Sequence, residues 1–547
     1  VNAVHLAEVL QVLARHGFAD VLRRAGFQDG LPARVLRGLK LMKAPSGETA
    51  TFGRRLCAAL MDLGPTFVKF GQILSTRPDV VGTEVAQDLN RLQDKVAPLP
   101  FETMATVIRE ALGGEPDKLF ATFDKSAVAS ASLSQVYHAT LPSGEEVAVK
   151  VQRPGVEKVI DSDLSLMRQI AEWVASHVEE IDWLDPVGIV DEFSRSIKRE
   201  LDFTIEARVI EQFRTNFEDI DFIFVPEVFQ DHSERRILTM AWVDGVRIDR
   251  LEAYEERGCD PHTVAVNCSE VLCKMVFEHR LFHADPHPGN VFVLRDNRIA
   301  FLDMGMAGHL ERGDAAILAD LVLAIVHGDS SQCVRAVLAL TPRRDPDDRE
   351  ALEHEIADFI AFEAQAIIGG GQVTKGLERA VQILRRYHLN LAPRFSLLLK
   401  ALGTVEVVGR SLDPDLDFVP IIQPYMEELV LGRYQPQQLI KEARRNALSL
   451  LRITGEAPED IAVALKKLRG GKLRFHMHHE HLENLVATLD RSSNRQAVAM
   501  ITASLIVGSS FLIRSESAVS RLGLAGFVCA GLLGLILIIS ILWNRKF

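Results

Sequence analysis

Paired cysteines are absent from this chain. Its six (Cys57, Cys259, Cys268, Cys273, Cys333 and Cys529) are dispersed without C-x-x-C spacing, which excludes a zinc ribbon or disulfide framework and fits a reducing compartment. Positive charge is in short supply: 62 Lys and Arg against 74 Asp and Glu leave a formal charge of −12, which argues against nucleic acid as a partner. The opening stretch VNAVHLAEVLQVLARHGFADVLRRAGF lacks the unbroken apolar run of a secretory signal; Glu8, Asp20 and several arginines interrupt it, and it reads as an amphipathic helix packed on the rest. Long charge-free apolar runs are confined to the C-terminal end. What is present, 47% hydrophobic and 25% charged residues over 547 positions, suffices for more than one sizeable core.

The most informative stretch is His283-Ala-Asp285-Pro-His-Pro-Gly-Asn290, followed by Asp303-Met-Gly305. Asp285 and Asn290 fit the D-x-x-x-x-N catalytic loop of kinase-like phosphotransferases. Between them and Asp303 runs VFVLRDNRIAFLD, two apolar strands about a polar turn at Asp296-Asn297, a hairpin that would bring Asp303 beside Asn290. Transfer of a γ-phosphoryl group is mostly positioning and charge neutralisation, so Asn290 and Asp303 suit Mg²⁺ while Asp285 suits the catalytic base. Upstream, Val147-Ala-Val-Lys150 matches the strand on which a lysine grips the α- and β-phosphates, with Ala148 and Lys150 on one face. Glu206 is the best partner for Lys150, and it shares with Glu200 one expected helix over DEFSRSIKRELDFTIEARVIEQF. These residues together read as a site for ATP (or ADP) and Mg²⁺.

Glycine is missing where a phosphate-covering flap would carry several. The corresponding segment is Val128-Ala129-Ser130-Ala131-Ser132-Leu133-Ser134-Gln135-Val136, whose backbone amides and serine hydroxyls remain available to phosphate but whose Cβ atoms hinder close approach. Altered nucleotide preference or slow turnover is expected. Ala284 stands where typical kinases have an arginine, and Asp303-Met-Gly-Met-Ala-Gly308 leads almost at once into an apolar helical pattern, so no activation segment or peptide-docking platform is expected. Met304 replaces the usual phenylalanine as a flexible apolar filler.

With Lys69-Phe-Gly71-Gln72 as K-x-G-Q, Glu200-Leu-Asp202 as E-x-D and the Ala-rich loop at 129–135, the chain resembles the UbiB/AarF/ADCK family of atypical protein-kinase-like proteins over most of its length. The resemblance implies an α+β, bilobal protein-kinase-like fold whose N-terminal helical extension lays K-x-G-Q across the nucleotide site and blocks peptide substrates. It implies that Lys69 and Gln72 approach Glu200 and Asp202, that Lys150 pairs with Glu206, and that Asn290 and Asp303 bind magnesium. It also implies a role in isoprenoid quinone (ubiquinone) biosynthesis.

The C-terminal end holds two segments without a charged side chain, 497–513 and 522–543, roughly 25 and 33 Å long as helices and close to the ~30 Å hydrocarbon thickness. A transmembrane helical hairpin is expected, both ends cytoplasmic, with Gly526, Ala530 and Gly534 forming a face for close helix packing within the hairpin or between protomers. The basic cluster Lys466, Lys467, Arg469, Lys472 and Arg474 suits anionic headgroups. His476, His478, His479 and His481, the run Gly369-Gly-Gly371 and the triplet Ala457-Pro-Glu459 each mimic a motif but lack its remaining residues, and read as solvated or turn segments. Four regions follow: a helical extension to about 115, a nucleotide-binding N-lobe at 116–243, a helical C-lobe at 244–440, and a juxtamembrane segment with hairpin at 441–547. An inserted helix is expected over EKVIDSDLSLMRQIAEWVASHV, between Lys150 and Glu206, and the backbone of Met240 to Val243 is the expected adenine-contacting hinge.

Function follows in three versions. The leading one is a membrane-anchored ATPase or small-molecule or lipid kinase at a bacterial-type inner membrane (an organellar inner membrane if eukaryotic), its kinase-like domain facing the cytoplasm, with membrane lipids, quinone precursors and a homodimer or biosynthetic complex as partners. A nucleotide-gated pseudokinase scaffold is the alternative. A protein kinase acting on polypeptides is the weakest.

Overall fold

The computed structural model describes residues 3–18, 51–92, 96–177, 183–342, 346, 348–364, 372–433 and parts of 496–535. The chain divides into two compact units, Val1–Lys441 and Glu442–Phe547. The basic cluster, the histidine run, the triple glycine and the Ala-Pro-Glu triplet lie outside the described residues.

In the first unit, helix α1 (Ala3–Leu13) packs Leu6, Val9 and Leu13 against α2 (Phe52–Leu63) and α3 (Pro65–Ser75), sharing a core with Phe67 and Val68. Pro65 at the first helical position starts α3, where its missing N–H costs nothing. Gly71 on α3 is required by packing: a Cβ there would collide with the side chains of Leu92 and Leu60. Helix α4 (Thr83–Leu89) completes this layer. Helix α5 (Phe101–Leu112), in the part of the sequence expected to be extension, instead buries Met104, Val107 and Ile108 on one face of a sheet.

That sheet has the antiparallel order β1 (Thr122–Ser130), β2 (Ser134–Thr140), β3 (Glu146–Gln152), β5 (Ile237–Ala241). Period-2 alternation divides β3 cleanly: Val147, Val149 and Val151 face α5, while Ala148 and Lys150 face the other way. The inserted helix expected after β3 is present as α6 (Val156–His177), and α7 (Pro186–Glu200) follows it. The single helix expected over Glu200 and Glu206 is broken. Glu200 ends α7, and Asp202 adopts an extended conformation and accepts from the Thr204 amide, capping α8 (Phe203–Asn216).

Strand β7 (Leu281–His283) pairs with β10 (Ala307–His309). A second sheet orders β4 (Ile223–Phe224), β9 (Ile299–Phe301), β8 (Val291–Val293) and β6 (Val246–Arg247). The β8–β9 hairpin turns at Asp296 and Asn297, both at positive φ (59° and 62°), as the sequence leads one to expect of a polar two-residue turn. The rest is helical: α9 (Pro261–Cys273), α10 (Arg312–His327) directly after β10, α11 (Ser330–Ala339), α12 (Arg349–Phe359), α13 (Val373–Arg386), α14 (Pro393–Leu412) and α15 (Val419–Arg433). Helices α9 and α14 share the largest core with β7, β8 and β9.

In the second unit, among the described residues no helix is long and apolar enough to cross a membrane, so the expected transmembrane hairpin is unsupported. Close packing of its small-residue face is present. A Cβ on Gly526 would strike Ser509, Ala530 is buried, and a Cβ on Gly534 would lie 3.8 Å from Thr502.

Candidate nucleotide site

Three elements bring the central charges together. Lys150 leaves β3 with 12% of its side chain exposed and meets both Glu206 oxygens, at 3.0 and 2.9 Å, and Asp303 Oδ1 at 3.0 Å. Helix α8 is held in place for this: Gln152 donates to the Leu201 carbonyl at 2.8 Å and the Phe203 amide to the Arg235 carbonyl at 2.9 Å. The Phe203 ring centroid lies 5.3 Å from the Lys150 ammonium and adds a cation–π contact.

Asp303 follows β9 with φ at 56°, a left-handed conformation that aspartate tolerates better than most residues. It is crowded by charged groups, yet 52% of its side chain faces solvent. Met304 beside it is buried in the core, filling the apolar position as expected.

One ammonium between two carboxylates leaves negative charge in excess. Lys150, with help from Lys69, holds the Asp303 carboxyl well below the usual carboxylate range, whereas burial pushes Glu206 up to about 7 against the pull of Lys150. Lys150 itself is raised: burial opposes its charge, but Asp303 and Glu206 outweigh that.

The loop after β7 is built on His283. Fully buried and pushed toward the neutral form by that burial, its Nε2 lies 3.1 Å from the Leu302 carbonyl and its Nδ1 accepts from the Asp285 amide at 3.1 Å. The Asn290 side-chain amide donates to the Asp285 carbonyl at 3.3 Å, and the Leu302 amide to the Asn290 carbonyl at 2.8 Å, so the loop and Asp303 form one hydrogen-bonded unit. Against the upward push of burial, Lys400 and then His287 hold Asp285 below its ordinary value. Lys400, on α14, lies 2.9 Å from Asp285 Oδ1. Neither Lys400 nor the role of His283 is visible in a local sequence pattern.

The residues fit magnesium. Asp303 offers a half-exposed carboxylate, and Asn290, with its NH₂ committed to Asp285, presents its oxygen; Mg²⁺ takes one or two such ligands plus water and phosphate oxygens. Among the described residues no cluster of three His, Cys, Asp or Glu forms a metal cage.

Other expected site residues stand elsewhere. Lys69 meets Glu200 at 2.5 Å, Gln72 donates to the Leu92 carbonyl at 3.3 Å, and Asp202 Oδ1 accepts from the Thr204 amide and hydroxyl at the start of α8. In the Ala-rich loop Leu133 is buried among α2, α3 and α6, and Gln135 is buried with its Oε1 accepting from the Leu99 amide at 2.6 Å. Arg153 donates to the Ala131 carbonyl and the Ser130 hydroxyl, both at 2.8 Å. Ser132 and Ser134 are buried too, so this loop is anchored by its own side chains. Val128 is exposed, while Val136 is opposite Lys150 in the β2–β3 register and Ala148 opposite Met240. At the hinge, the Ala241 and Trp242 amides already donate to Glu227 and Glu146 carbonyls, which removes two backbone donors from adenine.

Residues 91–337 match the ABC1 atypical kinase-like domain, 372–417 the UbiB helical domain and 480–543 the ABC1/UbiB kinase-like C-terminal domain. A Marinobacter nauticus protein named probable protein kinase UbiB is 37% identical over 424 residues, 76% of this chain and 77% of its own. One of the same name from Cellvibrio japonicus is 32% identical over 509 residues, 91% of each chain. A Clostridium pasteurianum protein, described as uncharacterized in a hydrogenase 1 5′ region, is 28% identical over 551 residues and 99% of each. A Mycobacterium tuberculosis protein solved with erythromycin is 23% identical, covering 68% of this chain and 94% of its own, with a TM-score of 0.49.

Proposed function

The chain belongs to the ABC1/UbiB family of atypical kinase-like proteins, and on that premise we propose that it is an ATP-dependent phosphoryl-transfer enzyme, an ATPase or a small-molecule or lipid kinase. The observation that carries the reading is Lys150 within 3.0 Å of both Glu206 and Asp303, with the Asp285 loop hydrogen-bonded into the same unit. In this reading Lys150 grips the nucleotide phosphates, and Asn290 and Asp303 hold Mg²⁺, which neutralises charge on the triphosphate. Asp285 orients the attacking hydroxyl or water. The substrate class is an isoprenoid quinone precursor in ubiquinone biosynthesis, reached at a bacterial-type inner membrane through the C-terminal apolar segments, with a homodimer or biosynthetic complex as setting.

A second reading, a nucleotide-gated scaffold, draws support from the anchored Ala-rich loop and the Lys69–Glu200 pair, both of which restrain the site. A polypeptide kinase has the least support, because β10 passes through two residues into α10 and leaves no docking segment. The deciding assay is phosphate release and nucleotide binding by the full-length protein, with and without vesicles containing prenylated phenols. Turnover lost in Asp303→Asn while nucleotide still binds supports catalysis; binding without turnover under every condition favours the scaffold.

A further inference from the structure

We propose that Lys400, contributed by the helical segment far downstream of the catalytic loop, is the positioning residue of Asp285: its ammonium holds that carboxylate in a fixed orientation. The inference rests on the phosphoryl-transfer reading above, to which it adds a residue outside the loop motifs. Asp285 has two nitrogen-bearing side chains beside it. Lys400 stands 2.9 Å from Oδ1, whereas His287 lies 4.0 Å from Oδ2 and uses its Nδ1 to accept from the Gly289 amide. Both Lys400 and Asp285 are largely buried, at 18% and 25% side-chain exposure, so the attraction is only weakly screened.

The helix beneath Lys400 cannot drift. On α14, Phe395, Leu398 and Ala401 are buried in the main core. Arg394 makes a two-pronged contact with Asp314, at 2.7 and 2.9 Å, fixing α14 to the start of α10. Just ahead of α14, the Leu391 amide donates to Asp79 at 3.0 Å and its carbonyl accepts from Arg77 at 3.1 Å. Lys400 is thus delivered to the loop by a braced rod, which is what pre-organised electrostatics requires.

The pairing also selects a style of chemistry. A carboxylate clamped by an ammonium is a weak base, but phosphoryl transfer through a loose transition state asks little of a base and much of orientation. Oδ1 is occupied by Lys400, which leaves Oδ2 to accept from the attacking hydroxyl or water. A merely architectural salt bridge would predict loss of stability on its removal and no effect specific to Asp285.

The test uses full-length protein and the variants Lys400→Met, Lys400→Arg, Asp285→Asn and Lys400→Met/Asp285→Asn. In phosphate-release assays Lys400→Met is expected to lower kcat at least about tenfold with KM for ATP within about twofold, and Lys400→Arg to restore part of it. On the Asp285→Asn background Lys400→Met should add little, since it acts through that carboxylate. Unchanged kcat in Lys400→Met, or an undiminished effect in the double variant, overturns the proposal. If the parent has no turnover, the phosphoryl-transfer reading fails and Mn²⁺ binding to the ADP complex, read by electron paramagnetic resonance, decides this one separately. Removing the ammonium should tighten Mn²⁺ about threefold or more in Lys400→Met but not in the double variant; equal affinity in all of them overturns it.

Discussion

Two charge networks in the first unit use similar parts to opposite ends. Around Asp79, only 1% exposed, every contact is with a fixed donor: Arg77 at 2.9 and 3.1 Å, the Leu391 amide at 3.0 Å and the Ser396 hydroxyl at 3.4 Å. That seam ties the segment after α3 to the start of α14 and admits no further ligand. Around Asp303 the same kind of carboxylate touches the Lys150 ammonium, shared with Glu206, feels Lys69 as well, and has half its side chain in solvent. The difference is whether hydrogen-bonding capacity is spent within the protein. A satisfied buried carboxylate holds a fold together; an under-compensated one open to solvent is a seat for an added cation.

The comparison is tested hardest at the seam. Asp79→Ala removes one of the two carboxylates on the buried Arg77 guanidinium, leaving it Glu192 at 3.0 Å, and is expected to cost about 1.5–3 kcal/mol of stability, measured by urea unfolding of the full-length protein. Asp303→Asn should do the reverse, lowering turnover at least about 100-fold while the unfolding midpoint stays near that of the parent. If Asp303→Asn unfolded the protein as readily as Asp79→Ala, the distinction between the networks would be lost.

An intermediate case is Arg153, which pins the Ala-rich loop from two sides. Arg153→Met should accelerate hydrogen exchange at residues 130–134 and nucleotide release by roughly threefold to tenfold, read by exchange mass spectrometry and stopped flow. The lower limit is an exposed pair, His262 with Asp413 at 2.5 Å. The hydrogen bond to Asp413 raises His262 above its usual value, so its contribution is fully present below pH about 6.5 and fades as pH climbs through the raised value. Relative to His262→Gln, the parent should therefore lose a small part of its Tm between pH 6 and 8, and equal slopes in thermal scans would remove the pair from consideration.

Much of this was legible in residue order because it is local. The β8–β9 hairpin follows from two polar turn residues between apolar triplets, and Lys150 shares a face with Ala148 because strand periodicity is 2. Lys150 and Glu206 were identified as partners across 56 residues by residue type and motif. The break between α7 and α8 was hidden, because an Asp that caps one helix looks, in a charged amphipathic run, like any other surface carboxylate. The partners of Gln72 and Gln135 were hidden for a related reason: an amide side chain goes to a nearby unsatisfied backbone group, here Leu92 and Leu99, and only packing decides which group that is.

Sequence by itself determined which side chains carry the charges of the candidate site and which lie on one strand face, since spacing along a chain sets local geometry. Tertiary structure alone decided which charges are left uncompensated, that the Ala-rich loop is anchored through Leu133, Gln135 and Arg153, and that Lys400 reaches Asp285. Those outcomes depend on distant segments competing for the same hydrogen bonds and the same buried volume, a competition that no local pattern records.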